Sequence, residues 1–143
     1  MVSLSISENK FNGSINSIHW ENLINLEFVD LSYNLFNGGI PLSMFSLPLL
    51  ELVALSNNKF SHQFYEFSNV SSYRLGALDL SFNNLEGPIH KFLFNLRGLE
   101  ILYFLQTTSN NIKHKNKIFS HVRVYIYIYL MVYHPEHTKI SQK

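Results

Sequence analysis

The chain has 143 residues, 46% of them hydrophobic and 15% charged, with a formal charge of +1 and no cysteine. That is room for one ordinary domain, and the near-neutral balance gives no reason to expect nucleic acid or an acidic substrate as partner. Without Cys there is no disulfide framework, no thiolate metal site and no thiol nucleophile.

The opening stretch, MVSLSISENKFNG, lacks the basic and apolar regions of a secretory signal. No segment reaches the run of about 18 apolar residues expected of a membrane-spanning helix. Instead one phrase recurs. LSISENKFNGSI starts at Leu4, VDLSYNLFNGGIP at Val29, VALSNNKFSHQF at Val53 and LDLSFNNLEGPI at Leu78. Aligned on Asn9, Asn34, Asn58 and Asn83, the copies return at about 25-residue intervals, the mark of a stacked repeat. Each carries an apolar pair spaced by two: Leu4/Ile6, Val29/Leu31, Val53/Leu55 and Leu78/Leu80. Such a pair makes a short strand with one buried face. Strands are expected near 3–7, 28–32, 52–56, 77–81 and 101–104.

Downstream of each Asn, an apolar residue follows by two (Phe11, Phe36, Phe60, Leu85), then Gly13, Gly38, His62 or Gly87, and a closing Ile15, Ile40, Phe64 or Ile89. Upstream, apolar residues fall three apart: Leu23 and Leu26; Met44, Leu47 and Leu50; Leu93, Leu96 and Leu99. The Asn sits where the chain turns inward. Its amide both donates and accepts, so it can satisfy backbone groups that the turn leaves unpaired. Repeated in register, Asn9, Asn34, Asn58 and Asn83 make a structural ladder. One copy cannot bury its apolar side alone; stacked copies share one core.

The pattern L-x-x-L-x-x-L-x-L-S-x-N-x-F/L-x-G-x-I-P resembles the plant-type leucine-rich repeat. The stretch from Asn57 to Leu102 is similar to the ectodomains of plant receptor-like proteins, of the kind that includes the tomato Cf and Verticillium-wilt resistance receptors. The resemblance implies an α/β repeat fold: a solenoid with short parallel strands on a concave face, and loops with short 3-10 or helical turns on the convex face. Residues 1–105 would hold about four repeats and the start of a fifth, whose Asn position is taken by Thr107. The resemblance also implies a non-enzymatic recognition protein at the outer side of the plasma membrane, with no cofactor. It would bind a protein or peptide ligand in defence or peptide signalling and act through a partner receptor kinase. An inhibitor of a secreted wall-degrading enzyme, built of the same repeats, is the alternative; a non-functional truncated product is a third.

On such a solenoid the residues between and beside the buried pairs line the concave side: Ser5, Glu8, Asp30, Tyr33, Ala54, Asn57, Asp79, Phe82 and Tyr103. Apart from Ala54 these form the candidate partner-binding strip, and exchange of Asp30 is expected to cost little stability. Ser7, Ser32, Ser56 and Ser81 form a further column, read as structural. Two N-x-Ser/Thr sequons, at Asn12 and Asn69, are candidate glycosylation sites. The irregular stretches NSIHWENLINL and YEFSNVSSYRL fall on the convex side, where loops tolerate length.

Beyond Phe104 the phrase stops. Residues 106–143 begin polar, turn basic at Lys113, Lys115 and Lys117, and contain VRVYIYIYLMVY. Tyr-Ile-Tyr-Ile-Tyr is what a TA-repeat encodes, so this tail is read as translated non-coding sequence on a fragment of a longer receptor. His114, His121, His134 and His137 do not have the organisation of a metal site, since Pro135 disfavours a helix there. No phosphate loop, nucleophile elbow or supported carboxylate pair occurs.

Overall fold

A computed structural model describes residues 1–63, 73–86 and 96–104. Five three-residue strands, β1 (Ser3–Ser5), β3 (Phe28–Asp30), β5 (Leu52–Ala54), β7 (Ala77–Asp79) and β9 (Ile101–Tyr103), form one parallel sheet in the order β1-β3-β5-β7-β9. The buried pairs set its register. Leu4 lies opposite Val29, Val29 opposite Val53, Val53 opposite Leu78, and Leu78 opposite Leu102. Each strand of this sheet is therefore one copy of the repeat, and the solenoid follows from the period.

The strands begin where the sequence places them and end about two residues sooner. The reason is a bend three residues beyond β1, β3, β5 and β7. Glu8, Tyr33, Asn57 and Phe82 adopt left-handed backbone, with φ of 56°, 52°, 54° and 52°. Coil-to-coil hydrogen bonding nevertheless runs on through the bend, as in Ile6 N–H to Asp30 O at 3.0 Å and Tyr33 N–H to Ser56 O at 3.0 Å. What stops is the extended geometry, not the pairing.

The bend is held by the asparagines. Asn58 Nδ2 donates to Leu55 O (3.2 Å) and Ser56 O (3.2 Å) of its own turn and to Leu31 O (2.9 Å) of the coil before; its Oδ1 accepts from Phe36 N–H at 3.0 Å. Asn34 repeats the set with Leu31 O, Ser32 O, Ile6 O and Phe11 N–H. Asn83 does so with Leu80 O, Ser81 O, Leu55 O and Phe60 N–H. Asn9 makes only the two bonds within its own turn, to Ile6 O and Ser7 O.

A second sheet is the main departure from the expected loops. β2 (Asn12–Ser14), β4 (Leu35–Gly38), β6 (Lys59–Gln63) and β8 (Asn84–Glu86) pair in parallel in the order β2-β4-β6-β8. It starts just after the ladder. Asn34, Asn58 and Asn83 each fix the amide of a Phe in the coil before (Phe11, Phe36 and Phe60), so neighbouring coils leave the turn in register and keep pairing. The phenylalanines stack as they leave. Phe11, Phe36 and Phe60 have ring centroids 6.3 Å apart in successive pairs, with planes within 11° and 13° of parallel. Gly38 sits in this sheet at φ 77°, where a Cβ would also press on Ser14 Oγ at 3.2 Å.

Between the sheets lies one core, containing Val29, Leu31, Val53, Leu55, Leu78 and Leu80. Two 3-10 helices, Trp20–Asn22 and Leu42–Ser46, add the buried Trp20, Met44 and Phe45 to it. Trp20 is fully buried and its indole N–H donates to Ile15 O at 3.1 Å. Leu23, one of the spaced apolar residues, is partly exposed instead; the larger Trp20, which the sequence reading left in a convex stretch, fills the interior. Gly98 packs so tightly that a Cβ would overlap the Tyr73 carbonyl, and Arg97 lies over the Tyr73 ring at 5.7 Å.

The two kinds of polar anchor should differ in cost. Asn58→Leu strands backbone groups of two coils and should lower the unfolding free energy by about 2–4 kcal/mol, taking 1–3 kcal/mol per unpaired buried group with partial relaxation. Asn9→Leu, at an exposed site with two local bonds, should cost under about 1 kcal/mol. Urea unfolding of both variants checks this; equal losses would contradict the assigned ladder.

Candidate functional site

The residues expected on the concave side do come together. Ser5, Asp30, Ala54, Asp79 and Tyr103 each close a strand of the five-stranded sheet, pointing away from the half-buried Leu4 and the buried Val29, Val53, Leu78 and Leu102. Strand neighbours are about 4.8 Å apart, so this is one continuous row. A second row, Glu8, Tyr33, Asn57 and Phe82, occupies the left-handed bend that follows. On this face Tyr33 is 57%, Phe82 59% and Tyr103 43% exposed.

Two features of this face were not anticipated. Phe28, Leu52, Ala77 and Ile101 open the same strands and are half-buried, adding an apolar row beside the acidic one. Counting back by two from Asp30 or Tyr103 would have found it. The left-handed bend is the second. Asn tolerates that conformation, but bulky residues are true outliers there. Tyr33 and Phe82 hold it with aromatic side chains turned to solvent.

Asp30 and Asp79 are more than solvated residues. Asp30 Oδ1 accepts from Ser32 N–H at 3.0 Å and Ser32 Oγ–H at 2.6 Å; Asp79 Oδ1 accepts from Ser81 N–H at 3.0 Å and Ser81 Oγ–H at 2.6 Å. Each carboxylate locks the first residues of the bend, an Asx-turn. The serine column is thus structural at these two positions, as the repeat phrase suggested, and Asp30 has a stabilising role that the sequence reading did not give it. Both bonds fall on one oxygen, which leaves Oδ2 for solvent or a partner.

Of the ladder, Asn34 and Asn58 are buried, Asn83 half-buried and Asn9 exposed. Asn12, the first sequon, is exposed and opens β2. Asn69, the tail from residue 105 and its histidines lie outside the described residues. Among the described residues no cluster of side chains could hold a metal ion, and no helix is long and apolar enough to cross a membrane.

The Leucine Rich Repeat family model matches residues 25–47 and 74–96. The chain is also similar to the "Probable inactive leucine-rich repeat receptor-like protein kinase" of Arabidopsis thaliana, 40% identical over 50 residues. That match takes in 35% of this chain and 6% of the relative, so the chain spans a small part of that protein's length. The first model match runs through β3, the Asn34 bend and β4, and the second through β7, the Asn83 bend and β8. Parallel strands recurring with the period, an asparagine after each of the four described bends and these two matches together make the fold a leucine-rich-repeat solenoid.

Proposed function

We propose that the open face of the five-stranded sheet binds a protein or peptide ligand, and that the chain is a recognition segment of a plant cell-surface receptor of the Cf or Verticillium-resistance kind. The carrying observation is the pair Tyr33 and Phe82. Each exposes an aromatic side chain from a bend whose backbone an aromatic residue adopts at a cost of about 1–2 kcal/mol. Folding does not need that choice, because Asn57 fills the equivalent position in the coil between them. Aromatic side chains are the usual anchors of protein interfaces. The similarity to a receptor-like kinase of Arabidopsis supports the cell-surface part of the reading. In that setting the ligand would be sensed in defence or peptide signalling, with a receptor kinase as partner and Asn12 and Asn69 as glycan acceptors.

A stability measurement separates the two roles of the bend. Tyr33→Asn and Phe82→Asn should leave the thermal midpoint unchanged or raise stability by about 0.5 kcal/mol, because Asn suits left-handed backbone better. A loss above about 1 kcal/mol would make the rings packing residues instead.

Binding is tested by selecting a random peptide library on the full chain displayed at a cell surface. Enriched peptides should bind the Tyr33→Asn/Phe82→Asn double variant at least tenfold more weakly, a loss of about 1.4 kcal/mol. An Ile18→Ser variant, altered at an exposed site away from the sheet, should bind them normally. Peptides indifferent to the double variant would place recognition elsewhere.

A further inference from the structure

The sheet face has a charge pattern that narrows the ligand. Three rows run across the strands: Phe28, Leu52, Ala77 and Ile101; Asp30, Ala54, Asp79 and Tyr103; Tyr33, Asn57 and Phe82. No Lys or Arg stands in any of them. Glu8 begins the bend row in the first coil. Along the margin where the chain enters the strands stand Glu27, Glu51 and Glu100, tied backbone to backbone: Glu51 N–H to Glu27 O at 2.8 Å, Gly76 N–H to Glu51 O at 2.9 Å, and Glu100 N–H to Gly76 O at 2.9 Å. The described cations lie elsewhere: Lys10 and Lys59 follow the ladder asparagines, and Arg74 and Arg97 sit in the turns before the strands. Among the described residues, none of these carboxylates is ion-paired to a Lys or Arg side chain. Glu27 is met by the ammonium of Met1 at 3.6 Å, whereas Asp30, Asp79, Glu8, Glu51 and Glu100 have no ion-pair partner among the described residues, so the face is acidic and aromatic.

We infer that the ligand of this face is an extended, cationic peptide segment that lies across the strands with a Lys or Arg at every third residue. This rests on the binding role proposed above. The spacing comes from the sheet. Asp30 and Asp79 stand on strands β3 and β7, two strand intervals apart, or about 9.6 Å. Tyr33 and Phe82 repeat that interval in the neighbouring row. A polyproline-II chain rises about 3.1 Å per residue with three residues per turn, so side chains three apart point the same way about 9.3 Å from one another. A cationic side chain over each Asp would reach the carboxylate oxygen not used by Ser32 or Ser81. The same turn sets its ring-facing positions on Tyr33 and Phe82, where aromatic faces receive both polyproline-II backbones and cations.

The probe is a lysine-proline-proline repeat peptide, compared with its glutamine-proline-proline and glutamate-proline-proline counterparts, by titration on the full chain at low and high salt. The lysine peptide should bind at least tenfold more tightly than either, and raised salt should weaken it. Asp30→Asn/Asp79→Asn removes charge but keeps an acceptor oxygen for Ser32 and Ser81; it should weaken lysine-peptide binding about tenfold with an unchanged melting curve. Equal binding by the glutamine peptide, or no effect of the Asn pair, would overturn the cationic assignment. So would no binding of the lysine peptide at low salt. In each of these cases library peptides that still depend on Tyr33 and Phe82 would leave the binding face standing, whereas loss of that dependence would remove both.

Discussion

One side chain per coil, the asparagine of the bend, ties this structure together. Its amide meets three carbonyls and one N–H, and two of those four partners belong to the preceding coil. A backbone turning inward leaves polar groups that water cannot reach, and each would cost on the order of 1–3 kcal/mol if unpaired. The asparagine removes that cost and, by the same bonds, sets the height of one coil on the next. The five-stranded sheet ends at this point and the four-stranded sheet begins just after it. Both registers, the stack of Phe11, Phe36 and Phe60, and the shared apolar core therefore depend on a single repeated amide.

The same bend shapes the candidate site. Because the ladder fixes the residue after it, the residue before each asparagine is forced into left-handed backbone and projects its side chain outward. Glu8, Asn57, Tyr33 and Phe82 all accept that geometry, so the position tolerates varied chemistry on an invariant frame. Asp30 and Asp79 play two parts. They lock the bend through Ser32 and Ser81 and leave charge on the open face. A rigid frame carrying exchangeable side chains is the arrangement by which solenoids recognise partners.

How much of this was legible in the sequence follows from what each signal encodes. The period and the apolar pairs are backbone statements, so they located all five strands of the first sheet and placed Val29 opposite Val53 without a structure. The asparagine column was legible for the same reason: a donor-acceptor amide at a fixed place in every copy has few other uses. The second sheet was missed, although the repeated Phe-x-Gly phrase marks it. The strands of that sheet lack the alternation that marks a half-buried strand, and their pairing is imposed by the ladder rather than by their own pattern. Trp20 was missed because it breaks the three-residue apolar spacing that pointed to Leu23. The lock formed by Asp30 was missed because a carboxylate two residues before a serine looks the same whether it faces water or closes a turn.

Amide hydrogen exchange tests the ladder most directly. The N–H groups of Phe36 and Phe60 donate to Asn58 Oδ1 and Asn83 Oδ1. If the asparagines hold the coils together, these two amides should be protected as strongly as Val53 and Leu78 in the sheet, and Asn58→Leu should release Phe36 while Phe60 keeps its protection. Exchange of the Phe36 and Phe60 amides at the rate of an open loop in the unaltered chain would contradict the account.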